Sequence, residues 1–253
     1  MKRTYYFSKA RDLIYEEVLS DSEMFEKFYE IQNGHKETLM VIPDGCVDIQ
    51  CVWKQDQMSM WICGSVMNGS VSGISGYDKC YGARFNAGKL PECLKKYIDI
   101  IVENRIPARQ MEETSHVLRY LDASMSFDAW IDVIRGCFEL DHSTEENRLT
   151  QGLIREIEKQ RGHVVVRDLV DAFGYSHRYA NYVFKSDVGC SIKKYAGIVR
   201  LQASMNCLLN RDDDAIYNDL GYYDQAHFIR DFKNFSYTTP YSFKKMMENL
   251  RLV

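Results

Sequence analysis

Two stretches in the last third of this chain repeat one another. Asp168-Leu-Val-Asp-Ala-Phe-Gly-Tyr-Ser-His-Arg-Tyr-Ala-Asn-Tyr-Val-Phe-Lys185 and Asp219-Leu-Gly-Tyr-Tyr-Asp-Gln-Ala-His-Phe-Ile-Arg-Asp-Phe-Lys233 each run from a short apolar helix, through Gly-Tyr, into a second helix ending in Phe-Lys. Gly174 and Gly221 supply the backbone freedom of a tight turn between helices. Ser176 and Asp224 carry side-chain oxygens that can cap the helix that follows. Each copy is therefore a helix-turn-helix. Between them, residues 192–209 form one long predicted helix with Tyr195, Ile198, Val199, Leu201, Met205, Leu208 and Leu209 on its buried stripe. That helix would fix one unit against the other.

With 253 residues, 45% hydrophobic and 27% charged, the chain has room for one large or two modest domains. Only 4 Pro and 15 Gly argue against low-complexity sequence. No apolar run approaches the roughly 20 residues that cross a bilayer, and Met1-Lys2-Arg3 leads into no signal-peptide core, so a cytoplasmic protein without a membrane partner is expected. The eight cysteines (46, 51, 63, 80, 93, 137, 190, 207) contain no Cys-x-x-Cys pair, which leaves packed, reduced thiols and no local zinc site.

Upstream, the periodicity differs. Thr38 to Ile42 is a β-rich run stopped by the turn Pro43-Asp44-Gly45, and Val47 to Trp53, Met58 to Val66 and Tyr77 to Phe85 read as further strands, with a Gly/Ser-rich stretch from Gly64 to Gly76. Residues 11–31 fit either a helix or strands. Past Pro91, Leu94, Tyr97, Ile98, Ile101 and Val102, then Val117, Leu118 and Leu121, then Trp130, Ile131, Val133, Ile134 and Phe138 recur at helical spacing. Leu118, Leu121, Trp130 and Ile134 suit a dimer surface or an intramolecular core equally well. The polar run Asp141 to Asn147 marks a boundary. The expected fold class is α+β: a β-rich domain over 1–92, a helical connector over 93–145, and an all-α double helix-turn-helix domain over 146–253.

Charge separates the halves, since residues 1–144 hold 16 Lys and Arg against 22 Asp and Glu, and residues 145–253 hold 16 against 14. A net of +2 does not by itself mark a nucleic-acid binder; placement on one face decides. In a helix-turn-helix the second helix enters the major groove with its early exposed residues on base edges. Burying Ala180, Val183 and Phe184 turns His177, Arg178, Asn181, Tyr182 and Lys185 outward. Burying Phe228 and Phe232 does the same for Gln225, Ala226, His227, Ile229 and Arg230. Arg178 and Arg230 suit guanine, Asn181 and Gln225 suit adenine, and Lys185, Lys193, Lys194 and Lys233 suit phosphates.

Residues 150–250 resemble the DNA-binding domain of the AraC/XylS family of bacterial transcription regulators. The resemblance is carried by Gly174-Tyr-Ser, Phe184-Lys185, Val188-Gly189, Arg200-Leu201 with Ala203 and Leu208-Leu209, and Gly221 to Lys233 with Thr239-Pro240. It implies two recognition helices in successive major-groove segments of double-stranded DNA, with Arg178, Asn181, Tyr182, Gln225, Ala226, Ile229 and Arg230 as base readers. Tyr182 stands where the family commonly has Arg, and Val170 and Tyr217 where it has Ala. RNA polymerase and a second copy of the chain are partners of the kind the resemblance implies. Pro43 to Ile49 and Gly82 to Gly88 are similar to the cupin-like, antiparallel β-barrel sensory or dimerisation domain of some of these regulators.

In that domain Asp44, Cys46, Asp48 and Arg84, with Trp53 or Trp61 as apolar wall, could line an effector pocket; each also has a plainer reading as turn, packed thiol or core. His35 is the only histidine before His116, so the histidine cluster of a metal-dependent cupin enzyme cannot form. The sequence thus points to an effector-modulated, DNA-binding transcription regulator that is not an enzyme and needs no cofactor or metal. The alternative is a ligand- or partner-binding protein that keeps the fold without DNA affinity.

Overall fold

The computed structural model describes residues 6–7, 14–32, 40–71, 76–139, 147–210 and 216–251. Its strands are β1 (Tyr6–Phe7), β2 (Ile14–Leu19), β3 (Phe25–Gln32), β4 (Met40–Val41), β5 (Asp48–Lys54), β6 (Gln57–Cys63), β7 (Ser70–Val71), β8 (Lys79–Phe85) and β9 (Arg105–Pro107). Short α1 (Glu92–Lys95), α2 (Ile98–Ile101) and α3 (Glu112–Ser115) precede the twelve-residue α4 (Phe127–Phe138). The C-terminal unit is α5 (Arg148–Lys159), α6 (Val166–Ala172), α7 (His177–Val188), α8 (Ile192–Asn210), α9 (Ile216–Asp219), α10 (Gln225–Ser236) and α11 (Pro240–Arg251).

The strands form two antiparallel sheets, β1-β4-β7 and β2-β3-β8-β5-β6-β9. The expected barrel is not closed. Closure needs the outermost strands to pair with each other, whereas β2 pairs with β3 and β9 with β6 among the described residues. The ambiguous stretch 11–31 is two strands where it is described. A register shift between Phe25 and Lys27 puts Phe25 and Phe28 into the same core at helix-like spacing, which hides the alternation.

The middle segment departs from its helical expectation. Residues 94–121 give single turns of helix, two 3-10 turns, and β9. Pro107 restricts the residue before it to extended backbone and has no N–H to donate, so the chain here takes the edge position of a sheet. This segment shares one core with the six-stranded sheet: Leu94, Ile98, Ile101, Met111, Val117, Trp130, Ile134 and Phe138 pack with Phe25, Phe28, Ile49, Cys51, Trp53 and Phe85. Trp130 and Ile134 are fully buried there, so the choice between dimer surface and core falls to core for both, with Leu118 and Leu121 half-buried against it. Asp141 to Glu146 and Asp212 to Ala215 lie outside the described residues, as does His35. Asn147 caps α5, its Oδ1 accepting from Leu149 N at 3.1 Å and Thr150 N at 3.4 Å.

The two halves are packed together through the turn Ile42 to Cys46. Ile42 completes a core otherwise made by Leu201, Ala203, Met205, Leu220, Tyr222, Phe228, Phe232 and Phe243. Gln202 Nε2 of α8 donates to Pro43 O at 2.7 Å, and the Tyr195 ring lies so close over Gly45 that a Cβ there would sit 2.6 Å from it. Cys46 joins the core of the first helix-turn-helix. Further along the seam, Lys95 Nζ of α1 meets the buried Asp187 of α7 at 2.6 Å, which also accepts from Thr150 Oγ1 at 2.5 Å.

Candidate nucleic-acid interface

Each helix-turn-helix is built as its sequence directs. Gly174 and Gly221 sit at φ +75° and +70°, which favours glycine at both turns. Ser176 Oγ accepts from Tyr179 N at 3.3 Å and starts α7; Asp224 Oδ1 accepts from His227 N at 2.6 Å and starts α10. Ala180, Val183 and Phe184 of α7 are buried, as are Phe228 and Phe232 of α10. Helical geometry therefore leaves His177, Arg178, Tyr182 and Lys185 exposed on α7, and Gln225, Ala226, Ile229, Arg230 and Lys233 exposed on α10. No ion pair or hydrogen bond holds the Arg178 or Arg230 side chain among the described residues.

Four expected contacts turn out differently placed. Asn181 is half-buried: its Oδ1 accepts from Ile192 N at 3.3 Å, capping α8, and its Nδ2 donates to His177 O at 3.1 Å. That amide joins α7 to α8 and is not an open reader. His227 is half-buried with its ring edge-on to Tyr222, centroids 5.3 Å apart. Lys194 turns toward the N-terminal half, donating to Asn68 Oδ1 at 3.2 Å and covering the Phe235 ring, and burial pulls its pKa down. Lys185 remains exposed but faces Asp99 of α2 at 3.8 Å. Sequence alone could not find Asn68, Phe235 or Asp99 as partners, since each is brought near by tertiary packing. Between the units, Arg200 Nη2 donates to Asp231 Oδ2 at 2.9 Å and its guanidinium covers Tyr222, tying α8 to α10.

In the N-terminal half, one cross-strand row of the large sheet is charged and buried. Lys27, Arg84 and Asp48 are successive register partners on β3, β8 and β5, followed by Cys63 on β6 and Arg105 on β9. Arg84, 2% exposed, donates from Nε to Asp48 Oδ1 and from Nη2 to Asp48 Oδ2, both at 2.7 Å, and meets Asp44 at 2.8 Å. Tyr29 lies flat across Gly82, where a Cβ would come within 2.0 Å of its ring, donates to Asp48 Oδ2 at 2.7 Å and accepts from Gln50 Nε2 at 2.9 Å. Lys27 pairs with Glu17, and desolvation lowers its pKa. Burial pushes the Cys63 thiol up to about 12.

Three of the six expected pocket residues, Asp44, Asp48 and Arg84, thus converge. Trp61 shares their face of the sheet, stacked under the Arg105 guanidinium at 4.3 Å. Trp53 and Cys46 do not join them. Trp53 points into the opposite core, its Nε1 donating to Ala123 O at 3.0 Å, and Cys46 faces the helices. Lys27, Tyr29 and Gln50 were missed, because a buried polar residue in a strand has the same local sequence as an exposed one. Among the described residues no group of three or more His, Cys, Asp or Glu could hold a metal ion, and no helix is long and apolar enough to cross a membrane.

A helix-turn-helix domain family matches residues 169–246, spanning both turns together with α7 and α10. This region is an AraC-type helix-turn-helix domain. The Msm operon regulatory protein of Streptococcus mutans is 29% identical over 119 residues, a match covering 44% of this chain and 43% of that protein. The chain thus spans less than half the length of that curated relative in the match. Among solved structures, the C-terminal domain of AraT, a response regulator from Geobacillus stearothermophilus, is similar at a TM-score of 0.38 and 17% identity, over 40% of this chain and 88% of that one. ToxT from Vibrio cholerae is similar at 0.44 and 9% identity, over 94% of this chain and 98% of that one. Within this domain, α7 and α10 are the second helices of the two helix-turn-helix units, with α8 the strut between them.

Proposed function

We propose that this protein is a cytoplasmic transcription regulator, not an enzyme, that binds double-stranded DNA through α7 and α10 and responds to a small molecule at its N-terminal sheet. The observation that carries this is the duplicated reading head: two capped helices, each burying one face around phenylalanine and presenting an open arginine. Arg178, Tyr182, Gln225, Ala226, Ile229 and Arg230 face base edges, His177 and His227 flank them, and Lys185, Lys193 and Lys233 meet phosphates. Asn181 holds α7 on α8. The buried row around Asp44, Asp48 and Arg84 is the effector-responsive part, because Asp44 belongs to the turn that packs on α8. We assign residues 1–92 and 93–145 jointly to sensing, with a second copy and RNA polymerase as further partners, and 146–253 to DNA.

Selection of bound fragments from random duplex DNA with the full chain tests this. The expected site has two contacted segments about one helical turn, roughly 10 base pairs, apart. Arg178→Ala and Arg230→Ala should each relax preference at one base position by about 1–3 kcal/mol. Unchanged preference in both variants refutes the assignment. The alternative, a partner-binding protein without DNA affinity, is favoured by the pairing of Lys185 with Asp99 and the inward turn of Lys194; absence of any enriched sequence from a folded chain would select it.

A further inference from the structure

Six of the nine tyrosines in residues 145–253 are exposed: Tyr175, Tyr179, Tyr182, Tyr223, Tyr237 and Tyr241. Single exposed rings need no explanation; the placement of these does. Tyr175 and Tyr223 each stand immediately before a cap, Ser176 of α7 and Asp224 of α10, although counted from the turn glycine Tyr175 matches the buried Tyr222. The Tyr175 ring is held by stacking on Tyr179, centroids 5.5 Å apart and planes 18° from parallel. Tyr223 is 91% exposed, and Tyr182, 74% exposed, lies one helical turn beyond Arg178.

Two lysines near the same face have partners in the N-terminal half. Residues 145–253 carry a net of only +2, Lys194 is turned to Asn68, and Lys185 faces Asp99. A duplex nevertheless presents about one negative charge per 1.7 Å of its axis, and most contacts to it fall on phosphate and sugar. A phenol hydroxyl donates to a phosphate oxygen without displacing a counterion, and its ring packs on deoxyribose.

Resting on the DNA-binding reading above, we infer that Tyr175 and Tyr223 grip the sugar-phosphate backbone at the entrance of each recognition helix. Tyr175 and Tyr223 are positioning residues: they seat each reading head on the duplex and carry no sequence information. Their contribution to affinity is accordingly independent of salt.

The test is fluorescence anisotropy of the full chain on two probes, a duplex of random sequence at low salt and the duplex enriched by selection. Tyr175→Phe and Tyr223→Phe keep the ring and remove the donor. Each should weaken binding about 3- to 10-fold, by the same factor on both probes, with the slope of log affinity against log salt unchanged. Tyr182→Arg should steepen that slope by about 0.9. Melting temperatures of the variants should match the parent, since all three side chains are exposed.

Equal affinity in both Phe variants overturns the inference, as does a loss confined to the selected duplex, which would make these residues base readers. If the parent chain binds neither probe at low salt, the DNA-binding reading falls and takes this inference with it. That pattern is distinct from tight parental binding with indifferent Phe variants, which removes the tyrosine grip alone.

Discussion

Cys51, Cys63 and Cys190 are residues whose surroundings change their chemistry. Burial raises each thiol from the ordinary 9 to about 12, because an apolar interior disfavours the thiolate. Below about pH 9 these thiols hold their protons whether the chain is folded or not, so their contribution to stability is constant. Between about 9 and 12 the unfolded chain loses protons that the folded chain keeps, and stability falls as pH rises. Melting temperature should therefore decline steeply from pH 9 upward, and iodoacetamide at pH 8 should label the buried Cys51 and Cys190 only after denaturation. Rapid native labelling would contradict their burial. Asn181 illustrates the limit of sequence at this scale: its helix, its position and its amide were legible, but the N–H of Ile192 that occupies it belongs to the next helix. Asp44, Asp48 and Arg84 could be grouped from sequence only through motif resemblance, since β5 and β8 meet by register and not by spacing along the chain.

The helices of the AraC-type domain were the most legible elements, because caps, turn glycines and apolar stripes act locally. Ser176→Ala and Asp224→Ala should each cost about 1 kcal/mol in denaturant unfolding. Asp224→Ala should cost the more, as it also removes a negative charge from the positive end of α10. If Asp224→Ala unfolds with the parent, the cap is not contributing. The strands were harder wherever local pattern and register disagree. Residues 47–53 alternate cleanly and formed β5, but the register shift after Phe25 broke the pattern in β3. In β9, three residues ending in Pro107 pair with β6 in a stretch whose upstream apolar spacing suggested helix. A three-residue edge strand leaves too short a trace for periodicity to reveal.

Across the whole molecule, the seam between halves is held by groups that are poor companions alone. Asp187 is buried in α7, and its lysine partner comes from α1 in the other half. Removing one member of a buried pair costs about 3–5 kcal/mol. Lys95 is partly open to solvent, so Lys95→Met should cost nearer about 2 kcal/mol, still enough to lower the melting temperature by several degrees. Adding Asp187→Asn to that variant should recover part of the loss, because a neutral amide is cheaper to bury than an unpaired carboxylate. A Lys95→Met protein that melts with the parent would show that the halves are not coupled through this pair. The two-part order of sheet then helices was legible from the change of period at Pro91; the seam was not, because its contacts join residues far apart, as in Gln202 to Pro43, 159 positions away.

That separation also sets an order of events during synthesis. Ile42 leaves the ribosome long before Leu220, Phe228 and Phe243, yet it sits in the same core as they do. The core under α10 is therefore completed by a side chain synthesised well before the helices it packs against. A chain that misfolds around Ile42 carries a hole under α10, so the integrity of the second helix-turn-helix reports on the folding of the N-terminal half.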